Sequence, residues 1–128
     1  MPAYLDTSAF VKLIRSEPES KALRSVLSDS ELVSSALLSV EGRRAAARYG
    51  ELATSRARIA LTAITLLPID EPILDDAADL PPLELRSLDA LHLATAQSLG
   101  DELDHLYCYD DRLSSAARAL GIPVAKPS

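Results

Sequence analysis

Short apolar runs alternate along the chain with longer stretches in which apolar residues recur at helical spacing. Residues 2–6 form one such run, ending in Asp6, and read as a short buried strand. Ser8 is placed to cap a helix over 9–15, which Glu17-Pro18-Glu19 breaks. From Ser20 onward, Ala22, Leu23, Val26 and Leu27 mark the apolar side of a second helix. Residues 31–35 read as the next strand, followed by a helix to about Tyr49, where Gly50 stops it. Residues 51–63 continue as a partner helix with Leu52, Ile59 and Ala60 on one face. A third strand is predicted over 65–69. Asp70-Glu71-Pro72 then opens a helix with an acid followed by proline. Pro81 and Pro82 exclude regular helix where they stand, 87–99 reads as a strong helix ended by Gly100, and 105–109 as a fourth strand. A last long helix over 112–120 and a strand over 122–125 complete the pattern. Strands and helices alternating through short links predict an α/β fold, with a mostly parallel five-stranded sheet covered by helices.

Composition narrows this picture without changing it. A chain of 128 residues, 48% hydrophobic, fits one domain over 1–128 that buries its core without disulfides. No apolar run approaches a membrane span, and the N-terminus lacks a basic stretch followed by an apolar one, so a cytoplasmic protein is expected. The single cysteine, Cys108, reads as a small core residue in a strand. The net charge of −6 counts against non-specific binding to nucleic acid. The charge is segregated, however: Arg43, Arg44, Arg48, Arg56 and Arg58 follow Glu41, whereas Asp70, Glu71, Asp75, Asp76 and Asp79 cluster further on.

Four acids stand where a strand or loop feeds a helix: Asp6, Glu41, Asp89 and Asp110. Each alone has an ordinary explanation as a helix cap or a solvated charge. Together they belong to the sheet edge where sites gather in parallel α/β folds. Carboxylates crowded there need a cation to stay ionised, which implies a divalent metal held by oxygen ligands and chemistry such as phosphodiester hydrolysis. Thr7 and Asp111 are candidates for a supporting role, with Asp111 expected to cap the last helix while Asp110 serves as the fourth acid. His92 shares a helix face with Asp89, but amid Leu91, Leu93 and Ala94 it reads as structural. No nucleophile–histidine arrangement and no glycine-rich phosphate loop is present.

Four segments carry a resemblance to a known family: Tyr4-Leu5-Asp6-Thr7-Ser8-Ala9, Ser39-Val40-Glu41-Gly42-Arg43-Arg44-Ala45, the stretch from Ser87 through Asp89 and His92 to Ala96, and Tyr109-Asp110-Asp111-Arg112-Leu113. In this order and at this chain length they resemble the PIN domains, specifically the VapC-type toxins of toxin–antitoxin pairs. The resemblance implies a three-layer α/β/α sandwich and an endoribonuclease dependent on Mg2+ or Mn2+, with Asp6, Glu41, Asp89 and Asp110 holding metal. It also implies an RNA substrate, a VapB-type antitoxin and a homodimer, with a heterotetramer or larger assembly in the antitoxin complex. Arg43 and Arg44 would then contact RNA or the antitoxin. Pairing of subunits is expected through the first two helices and the central helix pair. Cys108 departs from the family, which often has Thr or Ser there, and this suggests a differently tuned fourth acid. The alternatives are an RNA-processing PIN nuclease outside a toxin–antitoxin pair and a catalytically silent binding module. A small phosphatase built on Asp6 is disfavoured, because Ser8 stands where that class has a second acid.

Overall fold

A computed structural model describes residues 1–128. Its central strand, β1 (Pro2–Leu5), alternates between two cores: Ala3 and Leu5 enter one, Tyr4 the other. That period of two is what a strand covered on both faces requires. Around it lie β2 (Glu31–Ser35), β3 (Thr65–Leu67), β4 (His105–Tyr107) and β5 (Val124–Ala125) in the order β3-β2-β1-β4-β5, every pair parallel. The chain builds outward from β1 through β2 to β3, then crosses back to lay β4 and β5 on the other side. The sheet therefore has its switch point between β1 and β4, and the edge beyond their C-terminal ends is the natural site of chemistry.

Seven helices cover the sheet: α1 (Thr7–Ile14), α2 (Ser20–Leu27), α3 (Leu38–Ala47), α4 (Glu51–Thr62), α5 (Glu71–Asp79), α6 (Ser87–Ser98) and α7 (Asp111–Ala119). Phe10, Ile14, Leu23, Leu38, Ala53 and Ala57 from α1–α4 fill one core. Leu93 and Ala96 from α6, with Leu113, Ala116 and Ala117 from α7, fill the other. The result is the expected three-layer α/β/α arrangement. Each fully buried large side chain, such as Phe10 or Leu93, contributes about 1.5–3 kcal/mol from removal of apolar surface from water.

Several boundaries differ from those predicted. β3 stops at Leu67 because Pro68 has no N–H to offer the ladder. Only Val124–Ala125 of the last predicted strand pairs as strand, although the Pro123 carbonyl still accepts from Leu106 N–H. On α4 the inward face is Ala53 and Ala57, not Leu52 and Ile59, which are 64% and 70% exposed. α4 packs against α1 and α3, and small residues permit that approach where leucine and isoleucine would not. The caps also move. Asp6, not Ser8, caps α1, and Asp110, not Asp111, caps α7. In both places the strand or its loop delivers the earlier residue to the helix's free N–H groups. The predicted acid–proline start of α5 is present, with Asp70 accepting from Ile73 N–H.

Gly42 fixes how α3 approaches α1. A Cβ at this position would lie 2.7 Å from Phe10 Cε2, and Phe10 is fully buried. Alanine normally stabilises a helix interior by about 1 kcal/mol over glycine, but here a fully buried ring would have to shift to admit it. Gly42→Ala is expected to lower the urea midpoint, with a net loss of up to about 2 kcal/mol once the alanine gain is subtracted, and a Phe10→Leu background to recover part of it. A midpoint equal to or above that of the starting protein would disprove the close approach.

Candidate active site

Asp6 leaves β1 directly above the switch point and is 3% exposed. Its Oδ1 accepts from Ala9 N–H at 2.9 Å and from the Ser8 hydroxyl at 2.7 Å. Its Oδ2 accepts from the Cys108 thiol at 3.1 Å. Burial pushes the Asp6 carboxyl above its ordinary range, and these donors offset the shift only in part. Cys108 is itself raised to about 12 by burial and the neighbouring Asp6 charge, so it stays a protonated donor. The thiol thus serves the first acid. Toward Asp110 it meets only the backbone carbonyl, at 3.4 Å, and not the carboxylate.

Glu41 lies in the first turn of α3, half-buried. Its Oε1 accepts from the Thr7 hydroxyl at 2.7 Å and from His92 Nε2 at 2.7 Å, while Oε2 has no partner. Burial alone would raise its pKa, but the bonds from His92 and Thr7 outweigh it and hold the carboxyl below its ordinary value. Asp89, in the first turn of α6, makes no hydrogen bond or ion pair. Burial raises its pKa, and the charge of Asp110 adds to this, as do Glu41 and Asp6 more weakly. Asp89 therefore feels all three of the other acids. Asp110 Oδ1 accepts from Leu113 N–H at 2.9 Å, leaving Oδ2 unpaired. Asp111 is exposed and lies 3.5 Å from Lys126.

Asp89, Asp110 and Asp111 line a groove of ≈ 1030 Å³ between the start of α6 and α7. Arg86 and Arg112 line it too, and neither guanidinium is paired with an acid of the chain. These two arginines carried no signal in sequence beyond their place beside Asp89 and Asp110. Arg43 and Arg44, singled out in sequence, are exposed but lie outside this lining. His92, read as structural, is buried as expected. Yet it is no mere core filler, since its Nδ1 meets the Tyr4 hydroxyl at 2.8 Å while Nε2 meets Glu41.

The donor chemistry suits a hard divalent cation: all candidate ligands are carboxylate oxygens, several are unpaired, and two are raised by burial. No three Asp, Glu, His or Cys side chains stand at ready ligand spacing. Holding one ion with all four acids would therefore take side-chain movement or bridging water, which Mg2+ ordinarily retains.

Residues 3–119 match the family model described as the PIN domain. The chain belongs to the PIN-domain family. Within it the relatives are VapC ribonucleases. This PIN domain is 52% identical to ribonuclease VapC46 of Mycobacterium tuberculosis over 98% of its length and 97% of the relative's. It is 42% identical to ribonuclease VapC47 of the same species, over 97% and 96% of the two chains. Among solved structures it superposes on a toxin–antitoxin complex from Klebsiella pneumoniae with a TM-score of 0.74 and 25% identity, covering 98% of each chain. M. tuberculosis VapC20, described as a sarcin–ricin-loop cleaving toxin, shares the fold at a TM-score of 0.74 and 18% identity, over 98% of this PIN domain and 99% of VapC20.

The raised Asp89 carboxyl has a consequence for stability. The folded chain holds the Asp89 proton more tightly than the unfolded chain does. Stability of the metal-free protein from this group is therefore greatest at low pH and falls as pH rises from the ordinary aspartate value to the raised one. In EDTA at pH 7, Asp89→Asn is expected to have a higher urea midpoint than the starting protein, and a flatter pH dependence. A lower midpoint would mean that Asp89 contributes a stabilising contact after all.

Proposed function

We propose that this PIN domain is an endoribonuclease that depends on Mg2+ or Mn2+ and acts as the toxin of a VapBC-type toxin–antitoxin pair. The observation that carries the reading is the groove itself, where the Asp89 and Asp110 carboxylates lie beside Arg86 and Arg112 and none of the four is in an ion pair. Arginines that merely balanced charge would be expected to pair with those acids. Left free, they suit the phosphates of a polyanion laid across the groove. Membership among proteins named ribonuclease VapC makes RNA the polyanion of choice.

Asp6, Glu41, Asp89 and Asp110 are the residues proposed to hold the cation. When bound, such an ion lowers the pKa of water and stabilises charge on phosphoryl oxygens. The chain's part is to keep the carboxylates ionised and aimed. Ser8, Ala9 and Cys108 hold Asp6, Thr7 and His92 hold Glu41, and the Asp110 cap fixes that residue to α7. Arg86 and Arg112 would place the backbone phosphates, and Asp111, at the groove's rim, would have a minor part.

A VapB-type antitoxin is the proposed partner, with homodimers of this chain joining it in heterotetramers or larger assemblies. Val40 of α3 and Leu52 and Ile59 of α4 are more than half exposed, and apolar surface of this kind on a helix pair suits a protein partner. Arg43 and Arg44 lie on the same helix as Val40 and would contact antitoxin or RNA. No helix of the chain is long and apolar enough to cross a membrane. A cytoplasmic site of action is part of this reading.

Cleavage of total RNA by antitoxin-free protein, with Mg2+ or Mn2+ against EDTA, tests the activity. Asp6→Asn/Asp89→Asn is expected to fall to the EDTA background while remaining folded; equal cutting by both proteins would refute the carboxylate site. The role of the arginines is read separately by binding to single-stranded RNA in the Asp89→Asn background. Replacing Arg86 and Arg112 with alanine should weaken binding and lower the slope of log K against log salt by about 0.7 per lost phosphate contact. An unchanged slope would place the phosphates elsewhere.

A further inference from the structure

Three elements meet at one carboxylate oxygen, and a fourth reaches it through a histidine. Thr7 opens α1, Glu41 lies on α3, His92 on α6 and Tyr4 on β1. Thr7 Oγ1 and His92 Nε2 both reach Glu41 Oε1 at 2.7 Å, and Tyr4 Oη reaches His92 Nδ1 at 2.8 Å. Tyr4 and His92 are 0% and 2% exposed, with their rings edge to face, so neither side chain has an alternative partner in water.

The proton positions follow from the chemistry of the partners. Glu41 Oε1 accepts from the Thr7 hydroxyl and faces His92 Nε2 at the same distance, and a carboxylate can only accept, so Nε2 carries a proton toward it. The Tyr4 phenol carries an O–H and can donate to Nδ1. The pair thereby fixes the ring's tautomer and its plane. A histidine that only filled the core would need its two nitrogens satisfied by any nearby groups. Here both side-chain donors to Glu41 converge on the same oxygen and leave Oε2 without a partner.

We propose that the buried Tyr4–His92 pair is a positioning device that pins Glu41 Oε1 and so reserves Oε2 for the divalent cation. The inference rests on the metal-dependent reading of the site given above. It makes His92 a positioning residue, one that acts through Glu41 without touching substrate. Because His92 lies one turn beyond Asp89 and Thr7 directly follows Asp6, the same bonds also tie Glu41 to the elements bearing two other acids.

Titration of the purified full chain with Mn2+, following free Mn2+ by electron paramagnetic resonance, reads this without recourse to activity. Glutamine places a donor where His92 Nε2 lies, whereas asparagine reaches only the Nδ1 position. His92→Asn is expected to weaken Mn2+ binding by about 10–100-fold, the usual cost of losing a group that orients a ligand. His92→Gln should recover most of that affinity although both variants lose similar thermal stability. Tyr4→Phe, which keeps the ring and removes the hydroxyl, should weaken binding several-fold, and it decides the matter if His92→Asn does not fold. Equal Mn2+ affinity in His92→Asn and His92→Gln, or wild-type affinity in Tyr4→Phe, would overturn the positioning role and leave the metal site standing. Failure of the unsubstituted chain to bind Mn2+ would overturn the metal reading and this inference together.

Discussion

A carboxylate with almost no access to water, at the end of the central strand, is the constraint on which the rest of this site depends. Left unpaired, a buried charge costs several kcal/mol or shifts its pKa until it is neutral. Three donors from two places oppose that fate: Ala9 N–H and the Ser8 hydroxyl in the first turn of α1, and the Cys108 thiol following β4. The last of these requires β4 to lie beside β1, and it does, with Asp6 N–H donating to the Tyr107 carbonyl. Strand order is thus tied directly to the state of one side chain. Burial still outweighs these contacts, so the Asp6 carboxyl remains raised. Under the proposed function, a bound cation would stabilise the ionised carboxylate further.

The remaining acids arrive by different routes, which explains their different environments. Glu41 is brought in by α3, whose approach to α1 is set by the contact of Gly42 with Phe10. It is then held by Thr7 and His92 and stays ionised. Asp89 and Asp110 come from helix starts on the other face of the sheet and line the groove. Asp110 is anchored as a cap, while Asp89 is held by nothing. The site therefore has a rigid, hydrogen-bonded half and an open, electrostatically loaded half. Such a division suits a site that must keep its shape and still gain from binding a cation and a polyanion.

Much of this was legible in the sequence because it depends on local pattern. Alternation of short apolar runs with helical stretches gave the α/β class and the parallel sheet, and the four acids stood out because each closes a strand or opens a helix. What depended on tertiary contact was not legible. The α4 face was misassigned because Leu52 and Ile59 have the better periodicity, whereas close packing on α1 and α3 selects Ala53 and Ala57. Ser8 and Asp111 looked like the caps with Asp6 and Asp110 serving the metal, although capping was open to each acid taken alone; in the structure both acids cap their helices. His92 looked apolar by its neighbours. Its partners Tyr4 and Glu41 are 88 and 51 residues away, beyond any local pattern.

The distribution of charge resolves the objection raised by the net charge of −6. Total charge governs long-range attraction, but a ligand in the groove meets Arg86, Arg112 and whatever cation the carboxylates hold. Bound divalent charge would cancel part of the repulsion between Asp89 and Asp110 and add attraction for phosphate at the same place. Without it, Asp89, Asp110 and Asp111 repel a polyanion in the groove and only Arg86 and Arg112 attract it. Cation and polyanion should accordingly favour one another's binding, each reducing the cost of the other. That coupling would arise from charges without ion-pair partners carried on two helix starts, with no change of fold required.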